Sequence, residues 1–373
     1  MSDARLTIDS VAAYCVNNRL FTHAEIIENG LTITELSRRN RCFKAVNDRS
    51  AGYLIKQGIG SERELTVSNE LAVYKALHAN ASAASHVGSF VPACHFYDHH
   101  NCVLVLEFLR GAETLTEYHS RVKRFPKRAA TQLGAALGTL HRYGGEWETG
   151  ATHVPWALSV LQLPHIDFLR DISGANLEMI KIIQKYPEYC QLLDSLRDCW
   201  SASTLIHYDI KWENCIVFPD EKRKGNKLNI IDWELASAGD PCWDVGSIFA
   251  NYLSYWVLSM PVSAESAPNE FVQLARWPIK MMQPAITAFW GSYKSEMRLD
   301  PEVSRSWLTK SVCYAGSRLL QTAFEHLQNS TFLTGWAVCL LQLGFNMMTR
   351  PIEAARALLG FTGEDVWATT LSK

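Results

Sequence analysis

The run His207-Tyr208-Asp209-Ile210-Lys211-Trp212-Glu213-Asn214 is followed downstream by Ile231-Asp232-Trp233-Glu234. Asp209 and Asn214 lie five residues apart, and Asp232 follows Asn214 by 18. These residue types at this spacing suit phosphoryl transfer from a magnesium nucleotide. One carboxylate orients the attacking hydroxyl, while an amide oxygen and a second carboxylate hold the metal. Mg²⁺ takes hard oxygen ligands, a few from protein and the rest from phosphate and water.

The elements that must position these residues are legible nearby. Cys215-Ile-Val-Phe218 and Leu228-Asn-Ile-Ile231 read as short apolar strands, and the charged stretch Pro219 to Lys227 between them contains Gly225, so it reads as a turn. Consecutive strands joined this way form an antiparallel hairpin, which places Asn214 beside Asp232. Further upstream, Leu31–Leu36, Phe43–Val46 and Tyr53–Lys56 read as three strands, with Asn47 to Gly52 as a hairpin turn. A helix is expected over Ser68–His78, and strands over Phe90–Asp98 and Val103–Leu109.

On these motifs the chain resembles the aminoglycoside phosphotransferase branch of the protein-kinase-like superfamily, which includes choline-kinase-like and homoserine-kinase-like enzymes. The likeness rests on His207-x-Asp209-x4-Asn214, the hairpin, and Ile231-Asp232-Trp233-Glu234. Gly239-Asp240-Pro241-Cys242-Trp243-Asp244 and the helix Leu133–His141 extend it. The resemblance spans roughly residues 10 to 250. It implies an α+β, bilobal kinase-like fold: an N-lobe over 1–108 that binds nucleotide, and a mainly helical C-lobe over 109–373. It also implies ATP and Mg²⁺ as cofactors. Asp209 would be the catalytic base or hydroxyl-orienting group, Asn214 and Asp232 the metal ligands, His207 a brace for the catalytic loop, and Asp244 an anchor for that loop's backbone. Lys56 on the third strand would hold the α- and β-phosphates and pair with Glu70 on the following helix. The hinge at Glu107 to Leu109 would meet adenine through its main chain.

Two departures bear on substrate. The first turn, Ser37-Arg38-Arg39-Asn40-Arg41-Cys42, has no glycine where such lobes carry a glycine-rich phosphate loop. Ser37, Arg38 and Asn40 are candidate nucleotide contacts instead, since arginine forks bind phosphate. Lys211 stands where small-molecule kinases of this branch commonly have His and protein Ser/Thr kinases have Lys. A lysine there can offset charge on the transferring phosphoryl group. The acceptor is therefore either a hydroxyl-bearing small molecule or Ser/Thr of a precursor peptide, in which case a separate partner lyase would eliminate the phosphate. Only 11 residues separate Asp232 from Asp244, too few for a long phosphorylation-switched activation loop. The alternative from another class is a pseudokinase scaffold, favoured only by the missing glycine loop.

Composition bounds the rest. With 373 residues, 47% apolar, the chain can build a large core. A net charge of −2 gives no sign of a nucleic-acid or membrane-surface partner. Ten scattered cysteines form no Cys-x-x-Cys pair, so no zinc site is expected. Reduced thiols and an N-terminus without a signal-peptide pattern point to a cytoplasmic protein. No 18-residue apolar span is present. From Ala250 onward the pattern is helical. The stripe Tyr252, Tyr255, Trp256 reads either as core or as acceptor-pocket lining, Arg318 and Glu325 as buried polar contacts on an apolar helix, and Trp147–Trp200 as an insertion that caps the acceptor site or binds a partner.

Overall fold

Strand alternation sorts the side chains of the N-terminal third. The computed structural model of the chain describes residues 5–36, 40–49, 52–79, 88–144, 153–220, 225–261 and 268–366. Strands β1 (Thr32–Glu35), β2 (Arg41–Val46), β3 (Gly52–Gln57), β4 (Cys94–Asp98) and β5 (Val103–Glu107) form an antiparallel sheet in the order β1-β2-β3-β5-β4. Phe43, Ala45, Ile55, Val103 and Val105 point to one face and bury against Leu6, Val11, Cys15 and Phe21. Val11 and Cys15 come from helix α1 (Ile8–Asn17), which Thr7 caps. With a side-chain period of two, Lys56 must face the opposite way from Ile55. It stands in register with Leu104. Strand β5 is interior and covered on both faces, so its run Val103-Leu-Val-Leu106 is apolar throughout.

Helix α2 spans His23–Asn29 and α3 spans Ser61–Ala79. Helix α3 begins seven residues before the expected start at Ser68: Gly60 turns the chain at a φ of 86°, and Glu62 and Glu64 place negative charge in the first turn. Cys215–Pro219 pairs antiparallel with Asn226–Ile230, Cys215 opposite Ile230, so the expected hairpin forms. Residues 221–224 of its turn lie outside the described residues. Glu113–Thr114 adds a third strand to the hairpin.

The chain groups into two compact units, Met1–Leu115 with Glu213–Ala236, and Thr116–Trp212 with Ser237–Lys373. The hairpin segment joins the first unit because Glu113–Thr114 pairs with it and Trp233–Leu235 packs on α3.

The second unit is mainly helical: α4 (Leu115–Val122, from its second residue), α5 (Lys127–Tyr143), α6 (Ile166–Arg170), α7 (Gly174–Lys185), α8 (Pro187–Asp198), α9 (Pro241–Leu258), α10 (Pro268–Gln273), α11 (Ile279–Met297), α12 (Pro301–His326), α13 (Gly335–Thr349) and α14 (Pro351–Ala357). A short antiparallel pair, Thr204–Ile206 with Ser237–Gly239, brackets the segment that carries His207. Helix α12 starts on Asp300, whose carboxylate accepts from the Glu302 and Val303 amides at 3.0 Å. The segment read as an insertion is part of this core. Met179 and Ile183 are fully buried, Ser173 Oγ donates to Leu327 O, and Tyr189 OH donates to Leu341 O.

Two of the three residues of the aromatic stripe are core, while Tyr255 is half-buried. Tyr252 and Trp256 are buried, and Tyr252 packs edge-on against Trp212 at 4.8 Å between ring centres. His119 lies in the same cluster, and burial pulls its pKa down to about 3. All ten cysteines are free thiols. Among the described residues, no helix is long and apolar enough to cross a membrane.

Helices α5 and α11 meet at a glycine. A Cβ on Gly134 would lie 2.2 Å from the Phe289 carbonyl oxygen. Alanine is the better helix former, yet here it must push the helices apart. Gly134→Ala is expected to lose about 1–3 kcal/mol of stability by overpacking, read from the denaturant midpoint.

Candidate active site

In the first unit, the Lys56 ammonium sits between two carboxylates, 2.8 Å from Glu70 Oε2 and 2.8 Å from Asp232 Oδ1. Strand β3 supplies the lysine, α3 the glutamate, and the end of the hairpin the aspartate. Burial by itself lowers the Lys56 pKa. Glu70 and then Asp232 more than reverse that and raise it well above the ordinary lysine value, so the ammonium is charged. Glu70 has no exposed surface, whereas the Asp232 side chain is 37% exposed.

The hairpin brings Asn214 and Asp232 together as its register requires. The Ile231 amide donates to Asn214 O at 2.9 Å, and Asp232 is the next residue. Asp232 holds a left-handed backbone, φ 68° and ψ 57°, a conformation that costs a non-glycine residue about 1–3 kcal/mol and clusters at functional sites. Asn214 and Asp232 offer only oxygen donors of the hard type that Mg²⁺ prefers. One ammonium between two carboxylates also leaves an excess negative charge, so the residues fit a divalent cation.

Asn40 donates to Glu234 Oε2 at 3.0 Å and Thr66 Oγ1 at 3.2 Å, which ties the first turn to the segment after Asp232. Asn69 donates to the carbonyls of Glu234 and Ala236, both at 2.9 Å. Sequence reading passed over Asn69, whose only signal is that it precedes Glu70. Ser37, Arg38 and Arg39 lie outside the described residues. Arg41, the third arginine of that turn, is engaged structurally, by Leu6 O and by Glu35 at 3.6 Å. At the hinge, the Glu107 carboxylate accepts from the Ala93 amide, and the Glu107 and Phe108 amides donate to Ala93 O and Gly52 O. The Leu109 side chain is buried.

In the second unit, Asp209 has a cation on each oxygen: Lys211 Nζ 2.7 Å from Oδ2 and Arg318 Nη2 2.8 Å from Oδ1. Burial alone would raise its pKa. Arg318 and then Lys211 outweigh burial and hold the carboxyl below its ordinary range. The loop carrying Asp209 is fixed by α9. Asp244 Oδ2 accepts from the His207 amide at 2.7 Å and Oδ1 from the Tyr208 amide at 3.0 Å. Trp243 Nε1 donates to Tyr208 O, and Asn251 Oδ1 accepts from the Trp212 amide. Tyr208 is left-handed at φ 70°, a bend these bonds hold in place. His207 is fully buried. His141 of α5 lies 3.2 Å from Asp244 Oδ2, and its other ring nitrogen lies 2.9 Å from Tyr293 OH. Sequence inspection placed His141 on the central helix without this role.

The first unit therefore assembles groups suited to phosphate and metal, and the second presents a carboxylate suited to a hydroxyl. Asp244→Ala would leave two buried loop amides and His141 without their acceptor. It is expected to cost about 3–5 kcal/mol, at about 1–3 kcal/mol for each group left unsatisfied, with Asp244→Asn costing less because one acceptor oxygen remains. Denaturant unfolding of both variants reads this out.

A sequence profile described as the phosphotransferase enzyme family matches residues 34–270. No curated protein sequence matches the chain significantly. Among solved structures, a choline/ethanolamine kinase family protein from Mesorhizobium loti aligns with a TM-score of 0.50 at 15% identity, over 94% of this chain and 97% of that one. A candidate fructosamine-3-kinase from Thermobifida fusca aligns with a TM-score of 0.50 at 15% identity, over 92% of this chain and 100% of that one. At such identity the structural likeness concerns the fold, and the α+β kinase-like architecture is shared. The family match covers well over half of the sequence, and the chain belongs to the phosphotransferase enzyme family.

Proposed function

We propose that this kinase moves the γ-phosphate of ATP to a hydroxyl group, using Mg²⁺. The observation that carries the reading is the Lys56 ammonium held between Glu70 and Asp232. A charged lysine fixed in this way can grip the α- and β-phosphates. Asn214 and Asp232 would hold Mg²⁺, which supplies neutralisation of phosphate charge when bound. Asn40, with Ser37 and Arg38 on the same turn, is assigned to the phosphates in place of a glycine loop, and the Leu109 main chain to adenine. In the second unit Asp209 orients the acceptor hydroxyl and takes its proton, while Lys211 offsets charge on the group in transfer. His207 braces the loop. A fully assembled lysine–glutamate–aspartate trio weighs against a pseudokinase scaffold. Ten free thiols support work in a reducing, cytoplasmic compartment.

For the acceptor, the small-molecule kinases named among the structural relatives favour a small-molecule hydroxyl. The Lys211–Asp209 contact favours a second reading, a peptide Ser or Thr, because that lysine occupies the protein-kinase position.

The test uses γ-labelled ATP, Mg²⁺ and host extract, with products separated by size. Asp209→Asn is expected to lower label transfer by about 10²–10⁴-fold, the usual worth of a positioned acid–base group. Lys56→Met should weaken nucleotide use as well. Label on a small metabolite or on a peptide decides the acceptor class. Undiminished transfer by Asp209→Asn would sink the reading.

A further inference from the structure

Arg318 belongs to α12, well beyond residue 270 where the family match ends. Its side chain is only 4% exposed. The inward neighbours on the same helix, Val312, Ala315, Leu319 and Leu320, are apolar and buried. A guanidinium is expensive to bury unless it is paired and hydrogen-bonded, and this one is paired at both ends of its fork. Nη2 donates to Asp209 Oδ1 at 2.8 Å, and Nη1 lies 3.4 Å from Glu325 Oε1. Glu325 is itself held by Gln321 Nε2 at 2.8 Å. A planar fork can span two carboxylates in this way, whereas an ammonium is a single point charge. A helix that needed only packing at this position would be served by Leu or Met.

We propose that Arg318 is a positioning residue for phosphoryl transfer: together with Lys211 it clamps the two oxygens of Asp209, fixing the orientation and charge of the carboxylate that meets the acceptor hydroxyl. The proposal rests on the phosphotransfer reading above. Lys211 holds Oδ2 from within the loop and Arg318 holds Oδ1 from α12, so the carboxylate is not set by the loop alone. With both oxygens charge-paired, Asp209 is a weak base and acts mainly by orientation, as a loose phosphoryl-transfer transition state requires.

Among the described residues of this unit, the groups that face Asp209 include Lys211, His207 and Tyr208 from its own loop and Arg318 from α12, with Glu325 behind Arg318. Burial pushes the Asp209 carboxyl up, and Arg318, then Lys211, bring it below its ordinary value. The ionised form is the competent one, so activity is present above this pKa and lost as pH falls through it. Removing Arg318 raises the pKa, and the loss then sets in at higher pH.

The test is a titration of the Asp209 carboxyl by ¹³C NMR in the full chain labelled at aspartate, with Asp209→Asn assigning the resonance. Arg318→Gln is expected to move the titration up by about 1–2 pH units, and Arg318→Lys to bring most of it back. In the label-transfer assay the acid limb should shift in step. At pH 7, kcat should fall about 10–100-fold, the scale of a misplaced catalytic group, with the KM for ATP unchanged. An unmoved titration in folded Arg318→Gln overturns the proposal. If that variant does not fold, Lys211→Met keeps the Arg318 pairing while removing Lys211, and a titration at or above the ordinary range then overturns it. The titration needs no acceptor. Loss of transfer in Asp209→Asn with wild-type kcat and pH profile in Arg318→Gln would refute the clamp alone. Full activity in Asp209→Asn would instead refute the phosphotransfer reading.

Discussion

A carboxylate with no exposed surface, that of Asp244, sets the shape of the loop that carries Asp209. Its two oxygens take the amides of His207 and Tyr208, and one of them also meets His141. A buried charge tolerates few arrangements, because each lost hydrogen bond leaves a desolvated group without compensation. The loop therefore has one conformation, including the left-handed Tyr208 that an unsupported chain would avoid. The neighbouring donor and acceptor on the same helix, Trp243 and Asn251, close the rest of the loop. Much of the second unit serves this arrangement: α5 delivers His141, α11 delivers Tyr293, and Asp240 caps the helix that delivers Asp244.

The first unit solves a related problem with a cation. Lys56 is largely covered on the side of β3 away from the α1 core, its side chain 12% exposed, and its charge survives because Glu70 and Asp232 flank it. The pair of partners comes from elements 14 and 176 residues away. Asn69, next to Glu70, ties α3 to the backbone beyond Asp232. The same helix thus supplies the lysine's partner and fixes the segment that holds the candidate metal ligand. Where a glycine-rich loop is missing, Asn40 bonds that segment through Glu234.

Much of this was legible from local chemistry. The hairpin 215–230 follows from two apolar runs around a charged turn, and its register puts Asn214 next to Ile231 without any tertiary information. Lys56 and Glu70 were legible only through the resemblance, since by residue type alone they read as a surface lysine and an ordinary helix glutamate. Other readings were settled only by packing. Tyr252 and Trp256 read more readily as core than as pocket wall, and packing settles it, since periodicity shows which residues share a face but not what covers that face. Trp147–Trp200 reads as an insertion because it lies between the central helix and the catalytic loop. Its buried Met179 and Ile183 make it part of the helical core. The expected start of α3 at Ser68 rested on apolar periodicity, whereas Gly60 and two early glutamates mark its beginning.

The sequence by itself determined the chemistry: which carboxylates, amide and lysine are available, their order, and the strand-turn-strand that brings Asn214 to Asp232. These are matters of residue type and of contacts close along the chain. Only the tertiary structure decided what surrounds Asp209. Arg318 lies 109 residues further on, on a helix whose sequence shows only that a buried arginine must have a partner. Which partner depends on how α12 packs, and packing depends on the summed shape of many side chains rather than on any local pattern.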